Sequence, residues 1–353
     1  MSSLSSQLTL PHTLASGPAS LAAAFGLSSF VYAPSPPASA SNATAFLTQS
    51  WHAGSVSGAA NLALSSDPFG TGNTTVAVHY PKGTRDGAQF TIPAFHRAQA
   101  PVQTAVLTYE VAFDPTFDWV KGGKLPGLYG AAPNATAICT GGNHEPDCFS
   151  ARLMWRNRGI GEVYAYVPSY QGFCQQSDVL CGDEYGTSLS RGSFSFARGG
   201  WTRITQLVSL NTPGFANGVV VLYANDTLAL AQTGIIFRTR QNVTLTSVLF
   251  STFFGGSSDS YNSDGGTSYF RNFGVWYGPS SSNTTGPAVN ATFGSIGSAP
   301  TASSPSSSTG STSSPLHSSS SARASAATAT TSSNASSLWL ALMLVLVASM
   351  LRI

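Results

Sequence analysis

The run Phe149-Ser150-Ala151-Arg152-Leu153-Met154-Trp155-Arg156 is followed by Asn157-Arg158-Gly159-Ile160-Gly161 and then by Val163-Tyr164-Ala165-Tyr166-Val167. The outer runs are rich in strand formers and the glycines between them suit a tight reversal, so the spacing predicts a β-hairpin. Side chains two apart share a face of a strand. Ser150 and Arg152 therefore point one way, and Tyr164 and Tyr166 share a face of the next strand. Pairing across the turn presents the four as one polar patch. Upstream lies a glycine-rich turn, Lys121-Gly122-Gly123-Lys124-Leu125-Pro126-Gly127, which holds two of the three lysines in the chain. Lysine, unlike arginine, loses its proton readily when desolvated, so it can exchange protons as well as hold an anion. Lys124 is expected to complete the patch from that loop.

Working outward, residues 46–278 hold nearly all the aromatics, in short alternating runs punctuated by glycine. Segments 104–113, 218–223 and 245–250 read as strands, and no amphipathic helix longer than about three turns stands out. The expectation is one all-β domain over 46–278, a sandwich of two antiparallel sheets, without internal repeats. Residues 1–45 are rich in Ser, Ala and Pro and carry no lysine or arginine before Lys82, an awkward start for a secretory signal, although 19–27 offer a weak apolar core. Residues 279–337 form a Ser/Thr-rich linker with the composition of an O-glycosylated stalk. The apolar run 338–351 within the 338–353 tail is shorter than the roughly 20 residues of a spanning helix and matches a GPI-anchor signal, with a short tail anchor as the alternative. The expected address is the cell surface, at the plasma membrane or wall.

Composition suits an extracellular glycoprotein. Only 8% of residues are charged, and eight Asn-X-Ser/Thr sequons occur, at Asn42, Asn73, Asn134, Asn225, Asn242, Asn283, Asn290 and Asn334. The four cysteines form two close pairs, and sequential disulfides, Cys139 with Cys148 and Cys174 with Cys181, are expected to stiffen loops at a cleft rim. A zinc site including His144 is the rival reading, weakened by the lack of a CxxC spacing.

The polar patch suits β-elimination of a uronic acid polymer. The C5 proton of a uronate is barely acidic while the adjacent carboxylate keeps its charge, so donors or a cation must absorb that charge. Arg152 can grip a carboxylate with two parallel hydrogen bonds, and Ser150 can add a third donor. A lysine or tyrosine with a shifted pKa can remove the C5 proton or protonate the leaving O4. Lys124 and a tyrosine, Tyr166 in preference to Tyr164, are expected to divide these steps. Lys121, Arg156, Arg158 and Trp155 are the expected substrate-binding residues around them. The bland reading makes the tyrosines ordinary strand residues and Arg152 a surface ion-pair partner.

From about 80 to 273 the chain resembles polysaccharide lyase family 14, which includes alginate and glucuronate-polymer lyases. The resemblance rests on 117–128 with its GGKLPG block, on Ser150–Arg156, on 161–166 with its VYAY block, and on Phe250-Ser251-Thr252-Phe253-Phe254-Gly255-Gly256. It implies a β-jelly roll and an active site lined by Lys124, Ser150, Arg152, Tyr164 and Tyr166, without fixing which group is base and which is acid. The scheme needs no cofactor or metal. A monomer acting on an acidic polysaccharide is expected, with no nucleic-acid partner at a net charge of +2.

Two other functions fit some of the residues. A cell-surface lectin or adhesin would use Trp155, Tyr170 and Trp201 to stack on sugars. A glycoside hydrolase needs a carboxylate pair. Asp183-Glu184 offers one half, while a regular strand is expected to turn Glu162 away from Tyr164.

Overall fold

A computed structural model describes residues 8–293 except 71, 183 and 184. In chain order the strands are β1 (Ser29–Tyr32), β2 (Leu62–Ser66), β3 (Thr74–His79), β4 (Ala88–Ile92), β5 (Thr104–Phe113), β6 (Gly122–Ala131), β7 (Cys148–Arg156) and β8 (Gly161–Tyr166). They continue with β9 (Val179–Leu180), β10 (Thr187–Leu189), β11 (Trp201–Ser209), β12 (Gly218–Ala224), β13 (Thr227–Ile235), β14 (Thr244–Thr252) and β15 (Thr267–Gly278). Two short helices are α1 (Pro18–Ala24) and α2 (Ala43–Ser50). The first sheet runs β13-β12-β11-β5-β15-β3-β2, with β1 added alongside β15, and the second runs β4-β14-β6-β7-β8-β10-β9. This is the expected all-β jelly roll of two antiparallel sheets.

Aromatic rings fill the space between the sheets. Phe250 of β14 meets Phe270 of β15 at 4.8 Å, and Trp155 of β7 meets Phe113 of β5 at 5.6 Å. Edge-to-face contacts of this kind add to the burial of large apolar surfaces.

The GGKLPG run departs from expectation. It is not a turn but the start of β6, buried along its length and paired with β7 on one side and β14 on the other. Small residues are required there by close approach. A Cβ on Gly123 would lie 2.1 Å from the Trp155 ring, and one on Gly127 would lie 2.1 Å from the Ala151 carbonyl oxygen. Pro126 is tolerated because the pairing is irregular at its position: Leu125 faces Leu153, but Leu128 faces Ala151. Three steps on β6 thus match two on β7, which is a β-bulge. The backbone groups it frees are met from the opposite sheet. Tyr109 donates to the Pro126 carbonyl at 3.0 Å, Gln206 accepts from the Leu128 amide at 3.1 Å, and the Gln206 amide donates to the Ala151 carbonyl at 2.9 Å.

The folded unit reaches beyond 46–278 at both ends. Leu21 and Ala22 of α1 pack in an apolar cluster with Val106, Leu207 and Val221 on the outer face of the first sheet. β1 pairs with β15 from Ser29–Tyr277 to Tyr32–Gly274. At the other end Thr284 donates to the Asn217 carbonyl at 2.7 Å, and Ser169 and Thr292 exchange backbone hydrogen bonds. The expected stalk beyond 293 and the 338–353 tail lie outside the described residues.

Gln206→Leu removes both cross-sheet bonds and leaves a buried amide and a buried carbonyl unpaired, at about 1–3 kcal/mol each. The thermal unfolding midpoint is expected to fall by roughly 4–24 °C, given ~2–4 °C per kcal/mol. An unchanged midpoint would remove the cross-sheet tie from the account of the fold.

Candidate active site

The hairpin forms in the expected register: Ser150 faces Tyr166, Arg152 faces Tyr164 and Met154 faces Glu162. Alternation turns Leu153 and Trp155 into the core and turns Ser150, Arg152 and Met154 outward with Tyr164 and Tyr166. The bulge in β6 does the same for its neighbour strand. Lys124 opposite Met154 and Tyr129 opposite Ser150 are five residues apart, yet both face outward because the extra residue resets the alternation.

Lys124 sits at the centre, 9% exposed. Its Nζ lies 2.9 Å from the Met154 sulfur and 4.2 Å from the centroid of the Tyr164 ring. Burial, and then the positive charges of Arg152 and Arg156, hold its pKa well below the usual lysine range against the opposing pull of Glu162. Tyr164 moves the other way. Burial first, then Tyr166 and Glu162, raise its pKa, while Arg156 and Arg152 partly offset them. One side of the site therefore holds an amine that gives up its proton easily, and the other a phenol that keeps it.

Arg152 is fully buried, with its guanidinium 5.7 Å from the Tyr166 ring and its Nη1 donating to Ser251 at 2.9 Å. Burial lowers its pKa to about 10, so it stays charged at neutral pH. Its Nε and Nη2, the two nitrogens that form one side of the guanidinium fork, have no hydrogen-bond partner among the described residues. A buried charge without partners is costly. Ser150 is also fully buried, and its hydroxyl donates to the Cys139 carbonyl at 2.7 Å.

Both expected disulfides are present, Cys139–Cys148 and Cys174–Cys181, so the cysteines of the zinc reading are already joined in pairs. The first disulfide closes a loop over Tyr166. The Gly142 amide donates to the Tyr166 hydroxyl at 3.0 Å, and the His144 ring lies 4.9 Å from the Tyr166 ring. Burial lowers the His144 pKa.

A hollow of ≈ 170 Å³ opens beside Lys124, lined also by Lys121, Met154, Arg156, Tyr164, Tyr185 and Tyr261. A shallower one next to it adds Arg158 and Arg191 and shares Lys121 and Arg156. Lys121 is exposed and donates to Ser260 at 2.7 Å. Arg158 occupies the hairpin turn at φ 62°. Trp155 is a correction: it is fully buried among Tyr80, Phe113, Phe117 and Phe254 and donates to the Trp119 carbonyl, so it cannot meet a sugar.

Glu162 is a second correction. Two residues from Tyr164, it shares that residue's face, as alternation requires. Its buried carboxylate accepts from Arg156 at 2.8 Å, Arg191 at 2.5 Å and Ser188 at 2.7 Å. Such a carboxylate orients cations rather than attacking a sugar. Asp183-Glu184 of the hydrolase reading lies outside the described residues. Met154, Arg191, Tyr185 and Tyr261 were not marked by sequence reasoning. Period two from Arg152 and Tyr164 reaches Met154 and Glu162, but Arg191, Tyr185 and Tyr261 arrive from other segments with no local signal.

A jelly roll whose outer face gathers a proton-exchanging amine, phenols and spare cations is equipped for acid–base chemistry on an anionic substrate. Comparison narrows that class. The family model for polysaccharide lyase 14 matches residues 69–273, and the chain belongs to this family and is a polysaccharide lyase. The crystal structure of the marine PL-14 alginate lyase from Aplysia kurodai matches with a TM-score of 0.64 at 31% identity, covering 70% of this chain and 98% of that one. Alginate lyase Aly36B matches at 0.54 and 21% identity, over 70% of this chain and 97% of its own. Alginate lyase vAL-1 from Chlorella virus matches at 0.53 and 21%, over 68% and 99%. These last two support the fold alone. No curated protein matches the chain.

Lys124→Met is expected to raise stability at neutral pH, because it replaces a desolvated amine with an apolar chain of similar length. The folded-state pKa of Lys124 is depressed below its unfolded value of about 10.4, so between the two the unfolded chain binds more protons. Wild-type stability accordingly climbs with pH across that window, and the advantage of the variant shrinks. Urea unfolding from neutral to alkaline pH measures this; a gap that widens with pH would contradict the burial of Lys124.

Proposed function

We propose that the enzyme cleaves a uronic acid polymer by β-elimination, with Lys124 as the base that removes the C5 proton. The observation that carries this reading is the desolvated Lys124 amine held 4.2 Å from the Tyr164 ring. An amine with a lowered pKa is neutral, and so able to accept a proton, over a wider pH range than an exposed lysine. Tyr164 lines the same hollow and retains its proton, which suits it to protonate the leaving O4. Tyr166 is turned under the disulfide loop, so the acid role passes from the expected Tyr166 to Tyr164.

Arg152 is fully buried and lines neither hollow, so it would absorb the carboxylate of the reacting unit only once the disulfide loop over Tyr166 opens. Its free Nε and Nη2 provide the parallel pair of donors a carboxylate needs, and binding there relieves an unpaired buried charge. Ser150 would add a third donor on giving up its bond to the Cys139 carbonyl. Electrons then move from the C5–H bond into a C4=C5 double bond as the C4–O4 bond breaks. Lys124 holds the proton taken from C5, and Tyr164 supplies the one that ends on O4. Lys121, Arg156, Arg158 and Arg191 line the neighbouring surface and would hold flanking carboxylates.

The PL-14 relative from Aplysia kurodai is described as an alginate lyase, which makes alginate the first polymer to test, with glucuronan second. Placement outside the cell belongs to the same proposal. The two disulfides suit an oxidising compartment, and the seven sequon asparagines among the described residues are all exposed.

Incubation with each polymer should raise the ultraviolet absorbance of the conjugated C4=C5 bond, a product hydrolysis cannot make. Lys124→Ala and Tyr164→Phe are each expected to lower turnover by about 10²–10⁴-fold. Full turnover in Lys124→Ala would sink the assignment of the base, and flat traces with both polymers would sink the substrate class.

A further inference from the structure

Lys124 on β6, Met154 on β7 and Glu162 on β8 form one row across the outer face of the second sheet, since Met154 is paired with each of the other two. Two strand spacings put the backbones of Lys124 and Glu162 about 10 Å apart, close enough for the two side chains to converge over Met154. An amine and a carboxylate so placed would ordinarily pair. Lys124 nevertheless makes no ion pair among the described residues, and its Nζ meets the Met154 sulfur, a weak acceptor, instead. The reason lies in Glu162. Its side chain is 0% exposed and both oxygens are taken. Oε1 accepts from Arg156, at 2.8 Å from Nε and 2.5 Å from Nη2, and Oε2 accepts from Arg191 at 2.5 Å and from the Ser188 hydroxyl at 2.7 Å.

We propose that Glu162 is a positioning residue whose occupation by Arg156 and Arg191 denies Lys124 a salt bridge and so keeps that amine able to exchange a proton. Direct pairing with Glu162 would favour the charged amine and hold the proton on it. With no carboxylate at all, Lys124 would face Arg152 and Arg156 unopposed. Glu162 stands between these extremes: its charge pulls the Lys124 pKa upward against burial and the two arginines, yet its oxygens are not free to close on the amine. The sheet fixes this arrangement. Arg156 lies two residues beyond Met154 on β7, on the same face and diagonal to Glu162. Ser188 on β10 sits opposite Tyr164, and the Gly192 amide donates to the Gly161 carbonyl at 3.0 Å, which holds Arg191 beside Glu162.

The other titratable groups around Lys124 are Tyr164 on β8, Lys121 just before β6, and Tyr185 and Tyr261 across the hollow. None is acidic, so among the described residues Glu162 is the carboxylate that balances the amine. A buried ion pair kept for the fold alone would also destabilise the protein when broken. The sign of the effect on Lys124 separates the two roles. Loss of the carboxylate leaves the repelling arginines and lowers the titration midpoint of the amine. Loss of Arg156 removes a repelling charge and frees Oε1 of Glu162, so the midpoint rises. Damage to the fold alone has no reason to move it in opposite directions.

The kinetic half of the test rests on Lys124 as the base, and the direct half does not. The chain has three lysines, so the full chain grown with lysine labelled with carbon-13 at Cε gives three lysine signals by NMR, and Lys124→Met identifies the one from Lys124. Its titration midpoint is expected to fall by about 0.5–1 pH unit in Glu162→Gln and to rise by about as much in Arg156→Gln. Glu162→Asp keeps the charge and should restore the midpoint. The acid limb of kcat/KM on alginate should follow, toward lower pH in Glu162→Gln and higher pH in Arg156→Gln. The Arg156 side chain is 24% exposed, so its variant alone still tests the sign if the buried replacement unfolds. Midpoints that move as stated while the limbs stay fixed would sink Lys124 as the base and keep the role of Glu162. Midpoints that move in neither variant, or the same way in both, would overturn it.

Discussion

One irregularity in β6 determines where the chemistry stands. Between Leu125 and Leu128 the strand carries one residue more than its partner β7. Without it, a regular alternation would put Lys124 and Tyr129 on opposite faces. With it, both face outward over the hairpin of β7 and β8, and Leu125 and Leu128 both enter the core. A bulge in a central strand frees backbone groups where water cannot reach them, so the device depends on partners for those groups. Tyr109 and Gln206 supply them from across the sandwich. The core of the jelly roll and the placement of Lys124 are thus one problem with one solution.

A second constraint is electrostatic. Lys124, Arg152 and Arg156 crowd one face, and only Glu162 among the described residues is buried there as a counter-charge. That single carboxylate is shared by Arg156, Arg191 and Ser188. Among the described residues Arg152 donates only to Ser251, through Nη1, and the Ser251 hydroxyl donates in turn to Gln89. The site is under-compensated: burial and then repulsion depress the lysine pKa, and the Nε and Nη2 of Arg152 have no hydrogen-bond partner among the described residues.

Much of this was legible in the sequence where periodicity operates. The hairpin from Ser150 to Tyr166, the shared face of Arg152 and Tyr164, and both short-loop disulfides follow from spacing. Reading failed where tertiary context overrode local chemistry. Gly122, Gly123, Pro126 and Gly127 have turn propensities, yet here they form a central strand because Trp155 and the Ala151 carbonyl leave no space for a Cβ. Trp155 is aromatic, the type expected to stack on a sugar, but its odd spacing from Arg152 puts it inside. Period two likewise sets Glu162 beside Tyr164. Alternation was sufficient to place both residues; residue type misled. The Ser, Ala and Pro content of the N-terminal segment places it outside the domain, whereas a few apolar positions such as Leu21 suffice to dock α1.

Low overall charge sharpens what the remaining charges do. With only 8% of its residues charged, the chain has few competing fields, yet Lys121, Lys124, Arg156, Arg158 and Arg191 all border two adjoining hollows. No described residue lining either hollow is acidic, because Glu162 acts from beneath. A cluster of one sign against low-dielectric walls concentrates potential over the cleft and draws in an anionic chain. The same cluster set in a surface rich in mixed charge would be screened by its neighbours. On this argument the scarcity of ionic residues is the condition that lets a handful of cations define where a polyanion binds.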